Sequence, residues 1–390
     1  MQAIESVLQQ ISNVLWGWPL IILLVGTHIF LTFRLKFIQR YLIRAIKISF
    51  SRKSEGAGDI SHFGALTTAL AATVGTGNIV GVATAIAAGG PGAILWMWLT
   101  GVFGISTKYA EALLSLKYRI TNKDGSMAGG PMYVLERGMN ARWLGLIFAA
   151  LTAVAAFGIG NTVQANSIAS LVQETFNISP WMTGLTLTVL TAVVILGGIK
   201  SIAGVCQRLV PFMAAFYMLG CLLLLIMHYE TIPATFKLIF QSAFSGHAVI
   251  GGFLGAGMKE AVRYGIARGL FSNESGMGSA PIVAAAAQTR NAVRQALVSS
   301  TGTFWDTVVI CAMTGLVLVN SGQWVHGYNG AALTKAAFSD LTFVGPVFLS
   351  IGLLTFVFST ILGWSYYGEK AAEYLAGPRA VMPYRFLWVG

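Results

Sequence analysis

Apolar residues run in long blocks along the whole chain, separated by short polar segments in which Lys and Arg collect. About 20 apolar residues cross a hydrocarbon core. On that criterion the charge-poor stretches predict an initial helix over 14–33 and core helices over 62–89, 92–117, 143–172, 180–199 and 208–228. A second series is predicted over 250–288, 295–319 and 343–376, with a ninth core helix opening near Met382.

The polar segments orient these helices, because short cytoplasmic loops hold Lys and Arg in excess. Arg34, Lys36, Arg40, Arg44, Lys47, Arg52 and Lys53 fall between the initial helix and the first core helix, which predicts that loop inside and the N-terminus outside. Counting onward, the connections holding Lys117, Arg119, Lys123, Arg137 and Arg142, then Lys200 and Arg208, then Arg290 and Arg294, all fall inside as well. The outward connections hold only Lys237 and Lys335. Five core helices precede the one starting near 250, so it enters the membrane in the opposite sense to the first. The expected organisation is therefore one transmembrane domain over 1–390, with a first repeat over 62–228 and an inverted second repeat over 250–390.

Both repeat-leading helices are interrupted at matching places, Gly75-Thr76-Gly77-Asn78 in one and Phe271-Ser272-Asn273-Glu274-Ser275-Gly276-Met277-Gly278 in the other. Unwound backbone at the midplane needs something polar to face it. Half-helix N-termini suit a carboxylate, and freed carbonyls suit a small cation. Taken singly, Gly75, Gly77, Gly276 and Gly278 are equally well explained by close helix packing; their pairing in both halves, each beside a polar residue, favours a site.

Other polar groups within apolar stretches carry two readings each. Asn161 and Gln164 share a helix face and serve as interhelical glue or as ligands of a zwitterion. Ser359 and Thr360 lie one turn before Trp364, as cation ligands or bonded back to their own helix. Glu274, Asp306 and Arg268 are intramembrane ionisable residues and so functional candidates, with Glu274 and Arg268 expected as a structural pair. Glu111 and Lys108 are expected to snorkel toward the inner helix end.

Composition narrows the class. With 55% hydrophobic and 10% charged residues, the chain cannot cover itself as a soluble protein does. The formal charge of +11 sits in the connections, with no basic face for nucleic acid, so membrane lipid is the expected partner. Cys206, Cys221 and Cys311 show no metal-ligand spacing. The five histidines are scattered, and neither paired aspartates nor a Ser-His pair is apparent, so a transporter is expected rather than an enzyme, with a channel as the rival reading.

Two motifs carry a family resemblance: Gly89-Gly90-Pro91-Gly92-Ala93-Ile94-Leu95-Trp96-Met97-Trp98 and Arg268-Gly269-Leu270-Phe271-Ser272-Asn273-Glu274. The chain resembles, over essentially its whole length, the alanine or glycine:cation symporter family within the leucine-transporter fold; Leu95 stands where the family often has Phe. The resemblance implies an all-α inverted repeat of five plus five helices behind an extra N-terminal helix. It also implies sodium-coupled symport of a small neutral amino acid (alanine, glycine or serine) across a bacterial or archaeal inner membrane. It implies a substrate pocket made by Gly75, Gly77, Asn78, Phe271 and Ser272, closed by Gln164 and Trp364. The sodium site would take the carbonyls of Ala71, Val74 and Phe356 with the hydroxyls of Ser359 and Thr360, and a first sodium site would involve Thr73 and Asn78. Proton-coupled relatives of the fold use a Lys amine on the fifth core helix; Leu209 to Tyr229 contains only His228, at its outer end, which favours Na⁺ over the proton-coupled alternative. The fold has ten core helices and this chain stops at the opening of the ninth, so a truncated C-terminus, poor stability and a non-transporting fragment are also expectations.

Overall fold

The computed structural model describes residues 6–7, 10–11, 14–51, 56–244, 257–341 and 344–390. Its helices, in order, are α1 (Trp18–Arg34), α2 (Leu42–Ser49), α3 (His62–Thr73), α4 (Val82–Gly89) and α5 (Ala93–Tyr118). A small hairpin follows, β1 (Ile120–Thr121) against β2 (Met127–Ala128), antiparallel with Ile120 opposite Ala128. Then come α6 (Pro131–Met139), α7 (Arg142–Ala155), α8 (Val163–Phe176), α9 (Pro180–Ile195), α10 (Gly198–Met227) and α11 (Ile232–Phe244). The chain continues through α12 (Met258–Asn273), α13 (Pro281–Ala284), α14 (Ala292–Thr303), α15 (Ala312–Asn320), α16 (Gly330–Phe338), α17 (Val344–Ala376) and α18 (Val381–Val389).

Wide π turns at Ala156–Thr162 and Phe304–Cys311 join α7 to α8 and α14 to α15, so each pair runs as one long rod. With α10 and α17, these are the four described helices long and apolar enough to cross a membrane. Two further apolar helix pairs are sharply bent: α1 meets the segment ending in α2 at 66°, and α3 meets the segment ending in α4 at 54°.

The first broken helix follows the expectation. The second does not reach 288: α12 stops at Asn273, and only the four-residue α13 resumes beyond it. Glu274, Gly276 and Gly278 adopt φ of 55°, 87° and 83°, and three left-handed residues within five cannot continue a right-handed helix. The expected start of this helix over 250–256 lies outside the described residues, as do Arg52 and Lys53. Lys200 and Arg208, read from sequence as a connection, belong instead to the first turns of α10, which runs through Pro211.

Close contact of α12 with α5 is a matter of small residues. A methyl added at Gly265 would lie 2.2 Å from the Ala93 carbonyl oxygen, and one added at Gly269 would lie 2.2 Å from Thr100 Oγ1. This is the small-residue seam by which membrane helices approach. Gly265→Ala is expected to force the helices apart at a cost of about 1–3 kcal/mol, read as a lowered melting temperature of the detergent-solubilised protein. An unchanged melting temperature would show that the seam is not tight.

Candidate substrate and cation site

The first break exposes two carbonyls for a reason legible atom by atom. Ser61 caps the start of α3, its Oγ accepting the Gly64 amide at 3.0 Å. At the other end, the Gly75 amide donates to Asn78 Oδ1 at 2.9 Å, and the Asn78 amide donates to the Gly75 carbonyl at 3.2 Å. Neither amide therefore bonds four residues back, which releases the carbonyls of Ala71 and Val74 from the helical ladder. On α17, Ser359 Oγ lies 3.3 Å from the Ala71 oxygen and Thr360 Oγ1 lies 3.3 Å from the Val74 oxygen. Both hydroxyls also reach the Phe356 carbonyl, at 2.8 and 3.0 Å. The five oxygens expected for the sodium site thus stand together in a buried place, with Ser359 at 0% and Thr360 at 2% exposure.

Gly75 and Gly77 face opposite walls. A methyl on Gly75 would fall 2.5 Å from Thr360 Oγ1 and 3.6 Å from Gln164 Oε1, whereas one on Gly77 would fall 3.6 Å from the Ser272 Cα and 3.7 Å from the Phe271 ring. The two breaks therefore meet, and Gln164 reaches the same spot from α8. Gln164 donates its amide to the Ile159 carbonyl at 2.9 Å, leaving a buried Oε1 with no partner. A buried acceptor left open is costly unless a ligand supplies the donor. Trp364 stacks close over Gly160, where an added methyl would lie 2.1 Å from its Cβ, and meets Tyr367 edge-on at 5.5 Å.

Two expected roles change, and one open choice is decided. Asn78 has no side-chain group left over for an amino acid: besides holding Gly75, its Nδ2 donates to Asp306 Oδ1 at 2.7 Å and to the Asp306 carbonyl at 3.2 Å. Thr73 turns its hydroxyl back onto the Ala69 and Leu70 carbonyls of α3. Asn161 is glue, donating to the Trp388 carbonyl of α18 at 2.8 Å.

The residue missed as a site member is Asp306. Fully buried, its carboxylate accepts Asn78 Nδ2 on one oxygen, and Ser272 Oγ at 2.9 Å and Thr307 Oγ1 at 2.7 Å on the other. It ties the first break to the second. Cys311 completes this junction, its Sγ 3.3 Å from both Asn78 Nδ2 and Ser272 Oγ.

The expected ion pair of Glu274 with Arg268 is not formed; Glu274 accepts the Ser279 hydroxyl, and no ion pair among the described residues joins it to Arg268. Nor do Lys108 and Glu111 snorkel. Lys108 Nζ donates to the Asn273 carbonyl at 2.7 Å, and the Glu111 carboxylate accepts the Gly276 and Gly278 amides at 3.1 and 3.0 Å. Spaced three apart on α5, both face the unwound backbone and supply the partners its helix would have supplied. A charged i, i+3 pair deep in an apolar helix was the sequence signal for this role.

The sodium:alanine symporter family profile matches residues 1–390. An uncharacterized transporter of Haemophilus influenzae is 52% identical over 99% of the chain and 86% of its own length. The sodium/alanine symporter AgcS of Methanococcus maripaludis is 51% identical over 98% of the chain and 86% of its own length. Helix α18 falls where the ninth core helix was expected to open. The crystal structure of MhsT in complex with L-phenylalanine superposes with a TM-score of 0.59 at 14% identity, covering 87% of this chain and 79% of that one, which shows a shared leucine-transporter-type fold. On the full-length profile match and the identities to its relatives, the chain belongs to the sodium:alanine symporter family.

Proposed function

We propose that this protein carries a small neutral amino acid, with alanine the first candidate, into the cell together with Na⁺ by alternating access. The observation that carries the reading is the pair of released carbonyls, Ala71 and Val74, facing the Ser359 and Thr360 hydroxyls. Neutral carbonyl and hydroxyl oxygens suit a small hard cation, and unwound transporter helices supply them. The amino acid's carboxylate would meet the start of the half-helix at Gly77, where the dipole is positive. Its ammonium would take the open Gln164 Oε1, and Phe271, Ser272 and Trp364 would bound a small side-chain space. For a second cation, Asp306 with Ser272 is the better-supported place, since the carboxylate supplies the negative charge that Thr73 lacks.

On this reading the repeats are 62–228 and 250–390, and the connections rich in Lys and Arg face the cytoplasm of an inner membrane, with the N-terminus outside. The same face is strapped shut. The Asp59 amide donates to the Ala286 carbonyl and the Gln288 amide to the Ile60 carbonyl, each at 2.7 Å, while Arg119 reaches the carbonyls of Ala57, Ala285, Ala287 and Thr289. On the opposite face a cavity of about 370 Å³ opens between Val80, Leu171, Glu174 and Lys335. An outward-facing form fits both features. Each hydrogen bond from a charged group is worth about 1.5 kcal/mol or more. Loss of even one of these four bonds corresponds to roughly tenfold, so Arg119→Ala is expected to shift the balance inward by at least that much, read as faster alkylation of Cys311 from the cytoplasmic side in a Cys206→Ser, Cys221→Ser background. Unchanged labelling would leave the strap without a gating role.

Uptake of labelled L-alanine into proteoliposomes tests the function. Accumulation that requires an inward Na⁺ gradient, with alanine and Na⁺ together shielding Cys311 from alkylation, is the expected result. Accumulation that follows an imposed pH gradient without Na⁺ would transfer the protein to the proton-coupled class, and fast downhill leakage would make it a pore.

A further inference from the structure

The segment between α1 and α3 does not behave as a plain connection. Helix α2 turns 66° off the axis of α1, buries only Ala45 and Ser49 against the protein, and leaves Ile43 and Phe50 71% and 64% exposed beside exposed Arg40, Arg44 and Lys47. Exposed aliphatic and aromatic residues alternating with basic ones are the pattern of a helix lying in the membrane interface. Between α2 and the first turns of α14 is a cleft of about 600 Å³, walled by Ile38, Ile48 and Leu297 and entered past Tyr41, with Arg44 on one side and Arg294 on the other. Arg294 gives Nη2 to Ser51 Oγ at 3.2 Å, but its Nε is buried with no partner. Among the described residues no carboxylate pairs with Arg44 or Arg294.

We propose that this cleft binds an anionic phospholipid, its phosphate between the Arg44 and Arg294 guanidinium groups and the upper part of an acyl chain along Ile38, Ile48 and Leu297. Two arginines with no carboxylate partner among the described residues, one of them with an open Nε–H, fit a phosphate, which guanidinium recognises through paired donors. The aliphatic walls fit a chain and would be idle for a free anion. The site is separate from the transport site, so its occupancy is independent of what the protein carries.

Native mass spectrometry of the full chain, released from micelles holding equal phosphatidylglycerol and phosphatidylcholine, tests the proposal. Preferential retention of phosphatidylglycerol is expected, persisting in millimolar inorganic phosphate. Each basic side chain near the membrane surface contributes roughly fivefold in affinity. Arg44→Gln, which donates to no described protein group, should therefore lose about fivefold, and Arg44→Gln with Arg294→Gln about thirtyfold. Arg137→Gln, on the same membrane face but on α6, should retain the lipid as the unaltered protein does. Equal retention of the two lipids, displacement by inorganic phosphate, or an equal loss in Arg137→Gln would overturn the assignment.

Discussion

Replacing Asp306 by asparagine will lower sodium-driven alanine uptake by about a hundredfold while leaving a folded protein. The carboxylate accepts three hydrogen bonds, and its two oxygens serve different breaks: Asn78 on one side, Ser272 and Thr307 on the other. An asparagine has one acceptor oxygen. If that oxygen stays toward Ser272 and Thr307, its amide opposes the Asn78 amide; if it flips, two donors lose their acceptor. One lost charge-assisted bond is worth about 1.5–3 kcal/mol, and the opposed donors add to it, so about 3 kcal/mol or a hundredfold follows. The measurement is initial uptake in proteoliposomes, with size-exclusion and melting profiles of the same sample as the folding control. Wild-type uptake in Asp306→Asn would remove Asp306 from the site and with it the proposed second cation position.

Ser359→Ala and Thr360→Val are expected to act on a different variable, the Na⁺ concentration at half-maximal uptake. Each deletes one neutral oxygen facing the carbonyls of Ala71 and Val74. If each oxygen contributes as much as a hydrogen bond to a charged group, about 1.5 kcal/mol, the half-saturating Na⁺ rises roughly tenfold per substitution. Thr360→Ser keeps the oxygen and should stay near the parent value. The maximal rate at saturating Na⁺ should be largely kept, because neither hydroxyl is assigned to the amino acid. A fall in maximal rate with unaltered Na⁺ dependence would place these hydroxyls in helix packing, as their bonds to the Phe356 carbonyl would also allow.

The oxygen set at Ala71, Val74, Ser359 and Thr360 is implied only by the family resemblance; hydropathy, the placement of Lys and Arg, and glycine clusters were by themselves enough to find most of the helices and the first break. Each of these is a local property: a run of apolar residues long enough to cross a bilayer, or a backbone stretch unable to stay helical. Gly75 and Gly77 were equally legible as break residues, but the fact that one faces Thr360 and Gln164 while the other faces Phe271 and Ser272 depends on how α12, α17 and α8 are set around them. The sequence could not assign partners to buried polar groups, because a side chain's hydrogen bonds depend on which distant segment lies opposite. Asp306 is 228 residues from Asn78, and Lys108 is 165 from Asn273. Those separations turned an expected substrate ligand, Asn78, into a brace, replaced an expected Glu274–Arg268 pair with other partners, and drew Lys108 and Glu111 in from an expected snorkelled position. The sequence by itself determined where the chain spans and where it must break; the tertiary structure alone decided which groups satisfy the breaks and which, such as Gln164 Oε1, are left open for a ligand. Spanning depends on the free energy of transferring one segment, and satisfaction depends on geometry shared between several.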